Sequence, residues 1–379
     1  MHKMTSNERL MRIFRNEEID RPALKVWGAG ATVGKLLHES YRPIAELAAE
    51  TTDLFVDTSG YYLDVYEGAA MGRYTEYRTE TTEDPLWTDL YTILHTPKGD
   101  LQKVRRQSVI GDPGYTKEYF IKEEEDLEKV LSLPFEVPVD IVRDPYDRAA
   151  AAIGDRGVNM IGLPHAAHAV EQLTGSEMLA YLSVDARELI DELCALYAKR
   201  IYDHTKKILE TGVEQPIFSW VGPELFLPPL MGPQDFEDFV YKYDKPLCDL
   251  IHEHGGYVWV PSHNKVGKFL DRFIDMGVDV LNPLEPAPNG DIVMAEVVEK
   301  YKNRIGLEGN IEIQEIFCSS KERIAGLIDE CVDAGAKSGR FILCPSAGYM
   351  EFARPTEQYL ENMLFYMRYG LEAVERYRK

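Results

Sequence analysis

The sequence predicts an α/β fold, a (β/α)8 barrel of the TIM type, and three observations carry that prediction. Short apolar runs closed by Gly, Pro, Asn or Ser clusters recur eight times along the 379 residues. Amphipathic helical stretches separate most of them, and strands alternating with helices imply parallel pairing through crossovers. No G-x-G-x-x-G follows an early strand, so the rival fold, an open doubly wound sheet, lacks its fingerprint. With 45% hydrophobic residues the chain can fill one large core, and a barrel absorbs residues 1–379 as a single domain.

The chain opens on a helix. Thr5-Ser6-Asn7-Glu8 has capping-box spacing, Leu10, Met11, Ile13 and Phe14 supply the apolar stripe, and Arg21-Pro22 closes it. Strands are expected at 24–27, 53–56, 159–163 and 216–220, then at 257–260, 278–281, 304–307 and 340–343. Helices are expected at 186–210, 233–254, 265–276, 291–302 and 321–334. Residues from about 68 to 122 break this rhythm, being rich in Tyr, Thr and charge, with 86–96 and 101–108 flanking the turn Pro97-Lys98-Gly99-Asp100. They read as a β-hairpin insertion between the second and third strands, on the face carrying the βα loops. Barrel enzymes use such insertions as lids or docking surfaces, and a decorative hairpin is the equal alternative.

Composition excludes several classes. Forty-two Lys and Arg against 64 Asp and Glu leave a formal charge of −22, which argues against nucleic acid and against an anionic membrane surface. No apolar run approaches the roughly 18 residues of a membrane span, and Met1 to Glu8 lacks the apolar core of a signal peptide. Cys194, Cys248, Cys318, Cys331 and Cys344 are widely spread, without C-x-x-C, so a disulfide framework is not expected. The expectation is a soluble cytoplasmic protein.

In such a barrel the reactive groups gather where strands run out into βα loops. His263, after the fifth strand, suits a metal ligand or a general acid; the bland alternative is a histidine bonded to a loop carbonyl. Cys344, at the edge of the last strand, can offer thiolate to zinc or simply fill a small apolar space. Glu224 and Glu285 suit carboxylate ligands or acids, and Glu285, within Pro-Leu-Glu-Pro, equally suits a loop strut. Asp57 precedes Thr-Ser-Gly and is expected to face the barrel mouth, unless it caps the next helix. Trp27, Tyr61, Tyr62 and Tyr349 are placed to line an aromatic slot, and His165 stands at the end of the third strand. His252 and His254 close a helix and read as structural. No G-x-S-x-G, P-loop or H-E-x-x-H occurs.

Five segments, taken in order, carry a resemblance. Thr5-Ser6-Asn7-Glu8-Arg9-Leu10 with Asp20-Arg21-Pro22 comes first, then His252-Glu253-His254-Gly255-Gly256-Tyr257-Val258-Trp259 leading into Ser262-His263-Asn264-Lys265-Val266. Met276 to Pro286, Gly306-Leu307-Glu308-Gly309-Asn310-Ile311 and Gly339 to Ser346 follow. This order resembles the uroporphyrinogen decarboxylase superfamily, which includes cobalamin-dependent methyltransferases, and the resemblance spans nearly the whole chain. It independently implies a (β/α)8 barrel.

Two departures qualify what it implies. The decarboxylases carry an arginine-rich loop after the first strand, whereas here Gly28-Ala29-Gly30-Ala31-Thr32-Val33-Gly34-Lys35 has no arginine. The methyltransferase branch often binds zinc through H-x-C and a late cysteine; those positions hold Pro261, His263 and Ala347, with Cys344 three residues earlier. What remains is a different zinc ligand set, His263 with Glu224 and Cys344, or an acid-assisted site without metal. The resemblance therefore implies a methyltransferase moving a methyl group between a small substrate, such as a methoxylated aromatic, and a corrinoid carried on a separate protein. The alternative is uroporphyrinogen decarboxylase or a related pyrrole-acid decarboxylase, with Asp57 stabilising a protonated ring. A third reading is a binding protein that has lost catalysis. A homodimer is compatible with each.

Overall fold

The computed structural model describes residues 3–28, 39–58, 60–348 and 354–379. In chain order the strands are β1 (Ala23–Leu24), β2 (Leu54–Asp57), β3 (Thr75–Thr81), β4 (Trp87–Thr96), β5 (Gly99–Ser108) and β6 (Tyr115–Glu118). Then come β7 (Gly157–Leu163), β8 (Ile217–Trp220), β9 (Tyr257–Pro261), β10 (Val280–Asn282), β11 (Gly306–Ile311) and β12 (Phe341–Pro345). Eight of them form one parallel sheet in the order β1-β12-β11-β10-β9-β8-β7-β2, and each overlaps a strand expected from the sequence. The two end strands meet at Asp53, whose N–H donates to the Leu24 carbonyl at 2.7 Å while its carboxylate accepts from the Leu24 N–H at 2.9 Å. The sheet curls back on itself as a TIM-type barrel.

Side chains alternate along a strand, so every second residue points into the barrel. Ala23, Val158, Met160, Ile217, Trp259, Val280 and Ile342 share that interior, in one buried cluster with Leu10, Ile13 and Phe14 of the opening helix Ser6–Phe14. The helix therefore seals the amino-terminal end of the barrel. Its Thr5 cap accepts from the Glu8 N–H at 3.1 Å, as the capping-box spacing predicts. The opposite strand faces meet the helices in the larger core, which includes Ile161, Phe218, Val260 and Leu343. Among those helices are Arg187–Glu210, Met294–Tyr301 and Lys321–Gly335, matching the amphipathic stretches in the sequence. Among the described residues no helix is long and apolar enough to cross a membrane.

The expected hairpin is larger than a hairpin. β4 and β5 pair antiparallel with Thr96 opposite Gly99 across Pro97-Lys98, but β3 adds to one side and β6 to the other, giving a four-stranded sheet. The flanking strands were hidden because β3 is exposed along nearly its whole length and shows no apolar alternation. Two bonds anchor the insertion: Ile121 N–H, just past β6, donates to Leu173 O at 3.0 Å, and Lys98 of the central turn pairs with Glu128 at 2.7 Å.

Candidate active site

At the carboxyl ends of the strands the barrel opens into two adjoining chambers. The central one, of about 420 Å³, is walled by Trp27, Phe55, Trp220 and Trp259, with Lys25 and Asp57 as its charged groups. The side chamber, of about 530 Å³, is lined by Tyr62, Tyr66, His165, His168 and Gln172. Asp57, Gly162, Leu163 and Val221 belong to both. Each volume suits a small molecule. None of the described residues of β3–β6 contributes to either wall.

The floor of the central chamber is polar in the middle of an apolar barrel. Lys25 Nζ donates to Glu308 Oε1 at 2.6 Å and lies 4.5, 4.3 and 4.3 Å from the ring centres of Trp27, Phe55 and Trp259. Glu308, which has no solvent exposure, also accepts from Trp259 Nε1 and Asn282 Nδ2, each at 2.8 Å. A buried lysine is tolerable here because a carboxylate and three ring faces replace its water. Above this floor, the Asp57 side chain is open to the chamber while the surrounding walls desolvate it. That burial raises its pKa above the ordinary carboxylate range, and the charge of Lys25 partly opposes the shift.

A second cluster stands on the rim. His263 Nδ1 and Glu285 Oε1 are 2.8 Å apart, and Glu285 Oε2 accepts from the Asn264 N–H at 3.0 Å. Asn264 takes φ +73°, the turn that lets one carboxylate hold both neighbours. Glu285 is thus both partner to His263 and strut for its loop. Glu224 reaches the rim on the loop after β8, where Gly222 is indispensable: a Cβ there would lie 1.6 Å from the Pro261 carbonyl. Burial alone would lower the His263 pKa, but the hydrogen bond to Glu285 and the charges of Glu285, Glu224 and Glu312 raise it. Burial raises the carboxyls of Glu224 and Glu312 in turn.

The sequence-predicted residues separate accordingly. Trp27, Tyr62, Asp57 and His165 line the chambers, whereas His263, Glu285 and Glu224 interact with one another just past the strand ends and belong to neither lining. His165 Nε2 lies 2.8 Å from Asp244 Oδ2, both side chains being buried. Tyr61 is a correction: it is buried away from both chambers, near Tyr146 and Thr211, because neighbouring residues point opposite ways and Tyr62 takes the cavity side. Tyr349 and most of the loop 28–35 lie outside the described residues.

The tentative zinc set is also corrected. Cys344 sits in the barrel interior beside Glu308, away from His263, and burial followed by the Glu308 charge pushes its thiol well above the ordinary value. A zinc ligand must be thiolate, which this environment disfavours. Among the described residues no three His, Cys, Asp or Glu side chains converge as a metal requires. The residues present do not fit the zinc site the resemblance implies. What the sequence reading missed is the floor: Lys25, Asn282, Trp259 and Glu308. The signal was there, a lysine inside the apolar run 24–27 with the parity of Ala23 and Trp27.

A closed ring of parallel strands with its charged groups at their carboxyl ends defines a TIM-type barrel protein with an enzyme-like mouth. The chain belongs to the uroporphyrinogen decarboxylase (URO-D) family, whose model matches residues 110–363. Among solved structures it is similar to a methyltransferase from Methanosarcina mazei, with a TM-score of 0.58 at 14% identity, covering 97% of this chain and 99% of that one. At that identity the likeness is one of fold. A Bacteroides ovatus GH5 xyloglucanase matches at a TM-score of 0.33 and 11% identity, over 60% of this chain and 59% of that one, and nothing follows from it. None of the curated protein sequences matches.

Proposed function

We propose that this chain is a methyltransferase that moves a methyl group between a small molecule in the central chamber and a corrinoid protein docked at the barrel mouth. The observation that carries the reading is the chamber itself, at the carboxyl ends of the strands, aromatic on its walls and charged at Lys25 and Asp57. Family membership and the methyltransferase fold neighbour support it. The corrinoid would supply the nucleophile that takes the methyl group. The chain's own work is to bind the donor in line with that nucleophile and to settle the electron pair left on the donor atom. Trp27, Phe55, Trp220 and Trp259 hold the donor, Asp57 orients it, and His165 and Tyr62 border the adjoining space. His263, oriented by Glu285 and kept protonated by the carboxylates around it, is the proton donor.

Tetrapyrrole decarboxylation is the second reading, favoured by the family model and by Asp57 facing the chamber. Against it, Lys25 is the one lysine or arginine among the described residues lining either chamber, and Glu308 already pairs with it. A substrate with eight carboxylates needs more cations than that. The deciding experiment follows cob(I)alamin loss in the presence of candidate methyl donors, beside carbon dioxide release from uroporphyrinogen. Methyl transfer that drops by about 10²-fold or more in His263→Ala supports the reading. Carbon dioxide release without methyl transfer overturns it.

A further inference from the structure

Independently of the reaction at the barrel mouth, we propose that a separate cavity beside the helix Arg187–Glu210 binds a small carboxylate with an apolar body. Its occupation loosens the loop that walls the side chamber.

This cavity encloses about 260 Å³ and shares no lining residue with either chamber. One side is a stripe of the helix: Leu196, Lys199 with Arg200, Asp203 with His204, and Lys207 recur every three or four residues and share a face. Phe135, Val137 and Pro138 form the other side. Three cations thus meet one carboxylate, in a chain whose formal charge is −22. That carboxylate, Asp203, pairs with Lys199. Among the described residues no carboxylate lies within ion-pair distance of Arg200 or Lys207, and both bond to neutral carbonyls instead. Lys207 Nζ donates to Pro138 O at 2.7 Å, and Arg200 Nη1 donates to Val65 O at 2.8 Å and to Tyr66 O at 3.1 Å. The guanidinium face lies 4.1 Å from the ring centre of Phe135, which leaves its N–H edge open to a ligand. Each cation keeps N–H groups beyond those the carbonyls take.

Charge and walls together set the ligand. A carboxylate gives Arg200 and Lys207 the counter-charge that carbonyls do not, through bonds roughly twice as strong as neutral ones. Phe135, Val137, Pro138 and Leu196 offer the rest of the ligand an apolar lining, which an inorganic anion cannot use. The volume falls below the roughly 300 Å³ of drug-sized sites, which limits the body to about one ring. The same side chains tie the cavity to the mouth. Arg200 holds the carbonyls of Val65 and Tyr66, and His204 Nε2 lies 2.9 Å from the carbonyl of Tyr61. Tyr62, Leu63, Val65 and Tyr66 of that loop wall the side chamber. A carboxylate that draws the guanidinium toward itself weakens its two carbonyl bonds, so the loop loses part of its anchor. The coupling is reciprocal: a ligand in the side chamber that holds the loop against Arg200 weakens carboxylate binding by the same factor.

The test is a calorimetric titration of benzoate, benzamide and inorganic phosphate into the wild type and Lys207→Met, with amide deuterium exchange followed alongside. Benzamide keeps the ring of benzoate without its charge, and phosphate keeps a charge without the ring. Benzoate is expected to bind about tenfold more tightly than either, and to lose about tenfold in Lys207→Met. Saturating benzoate is expected to speed exchange across residues 61–67. Equal affinity for benzamide or phosphate overturns the site, as does no binding at about 10 mM benzoate. Benzoate binding unmoved in Lys207→Met, in a variant that melts as the wild type does, also overturns it, because the ligand has then settled in another cavity. The comparison of the three ligands on the wild type stands whatever the stability of the variant. Binding that leaves exchange across 61–67 as it was overturns the link to the side chamber.

Discussion

The floor and the rim of the barrel mouth handle buried charge in opposite ways. On the floor every charge is answered: Lys25 has Glu308 and three ring faces, and Glu308 has Lys25, Trp259 and Asn282. On the rim, Glu224, Glu285 and Glu312 crowd around the single His263, and the burial of Glu224 and Glu312 lifts their pKa values. A saturated network fixes structure and gains nothing from changing protonation. A crowded one binds its protons more tightly than free side chains do, and their number responds to any change in the charges nearby. On the function proposed above, the floor serves stability and the rim serves chemistry.

The largest effect that could break this contrast comes from the floor. Glu308→Ala strands the Lys25 ammonium in a site with almost no solvent, and removing one member of a buried pair costs about 3–5 kcal/mol. Denaturant unfolding should show that loss; a change near zero would mean the floor is not structural. On the rim, Glu285→Gln should leave stability nearly intact and act on pH dependence. His263 must be protonated to donate, so activity falls as pH rises through its pKa, which lies above the ordinary imidazole value. Removing the Glu285 charge lowers that pKa and moves the alkaline limb of the pH–rate profile to lower pH. An unmoved limb would take the proton-donor role from His263.

The smallest effect belongs to Asp57, which stands between the two regions. Its folded pKa is raised, so folding favours the protonated form. The resulting penalty is absent below the unfolded value, about 3.9, and complete above the raised folded value. Asp57→Asn should therefore raise the melting temperature at neutral pH and leave it unchanged near about pH 4. A gain at both would mean that ionisation is not its cause.

The strands were legible because apolar runs between Gly and Pro clusters are a direct record of burial, and the ends of those runs placed Asp57, Trp27, His263 and Glu285 at the mouth. What stayed hidden depends on which side of a strand a residue takes. Tyr61 and Tyr62 look alike in sequence, yet adjacent residues face opposite ways and only Tyr62 meets the cavity. Cys344 shares its inward parity with Ile342, which puts it beside Glu308 instead of on the rim. Lys25 and Glu308 are 283 positions apart, and pairing at that distance leaves no local pattern.

The seam between β1 and β2 has a further consequence. Along most of the barrel, neighbours share a ladder of backbone bonds, but here one residue stitches the wall shut. The Asp53 carboxylate is itself gripped by Arg9 at 2.6 Å and by Arg21 at 3.3 Å, so the opening helix acts as a clasp on the joint. Subglobal opening starts where the fewest bonds must break. The amides of Leu24 and Asp53 should exchange with solvent sooner than those of β7 or β12, and loosening the clasp at Arg9 should hasten both together, as a split travels from the end of its last stitch.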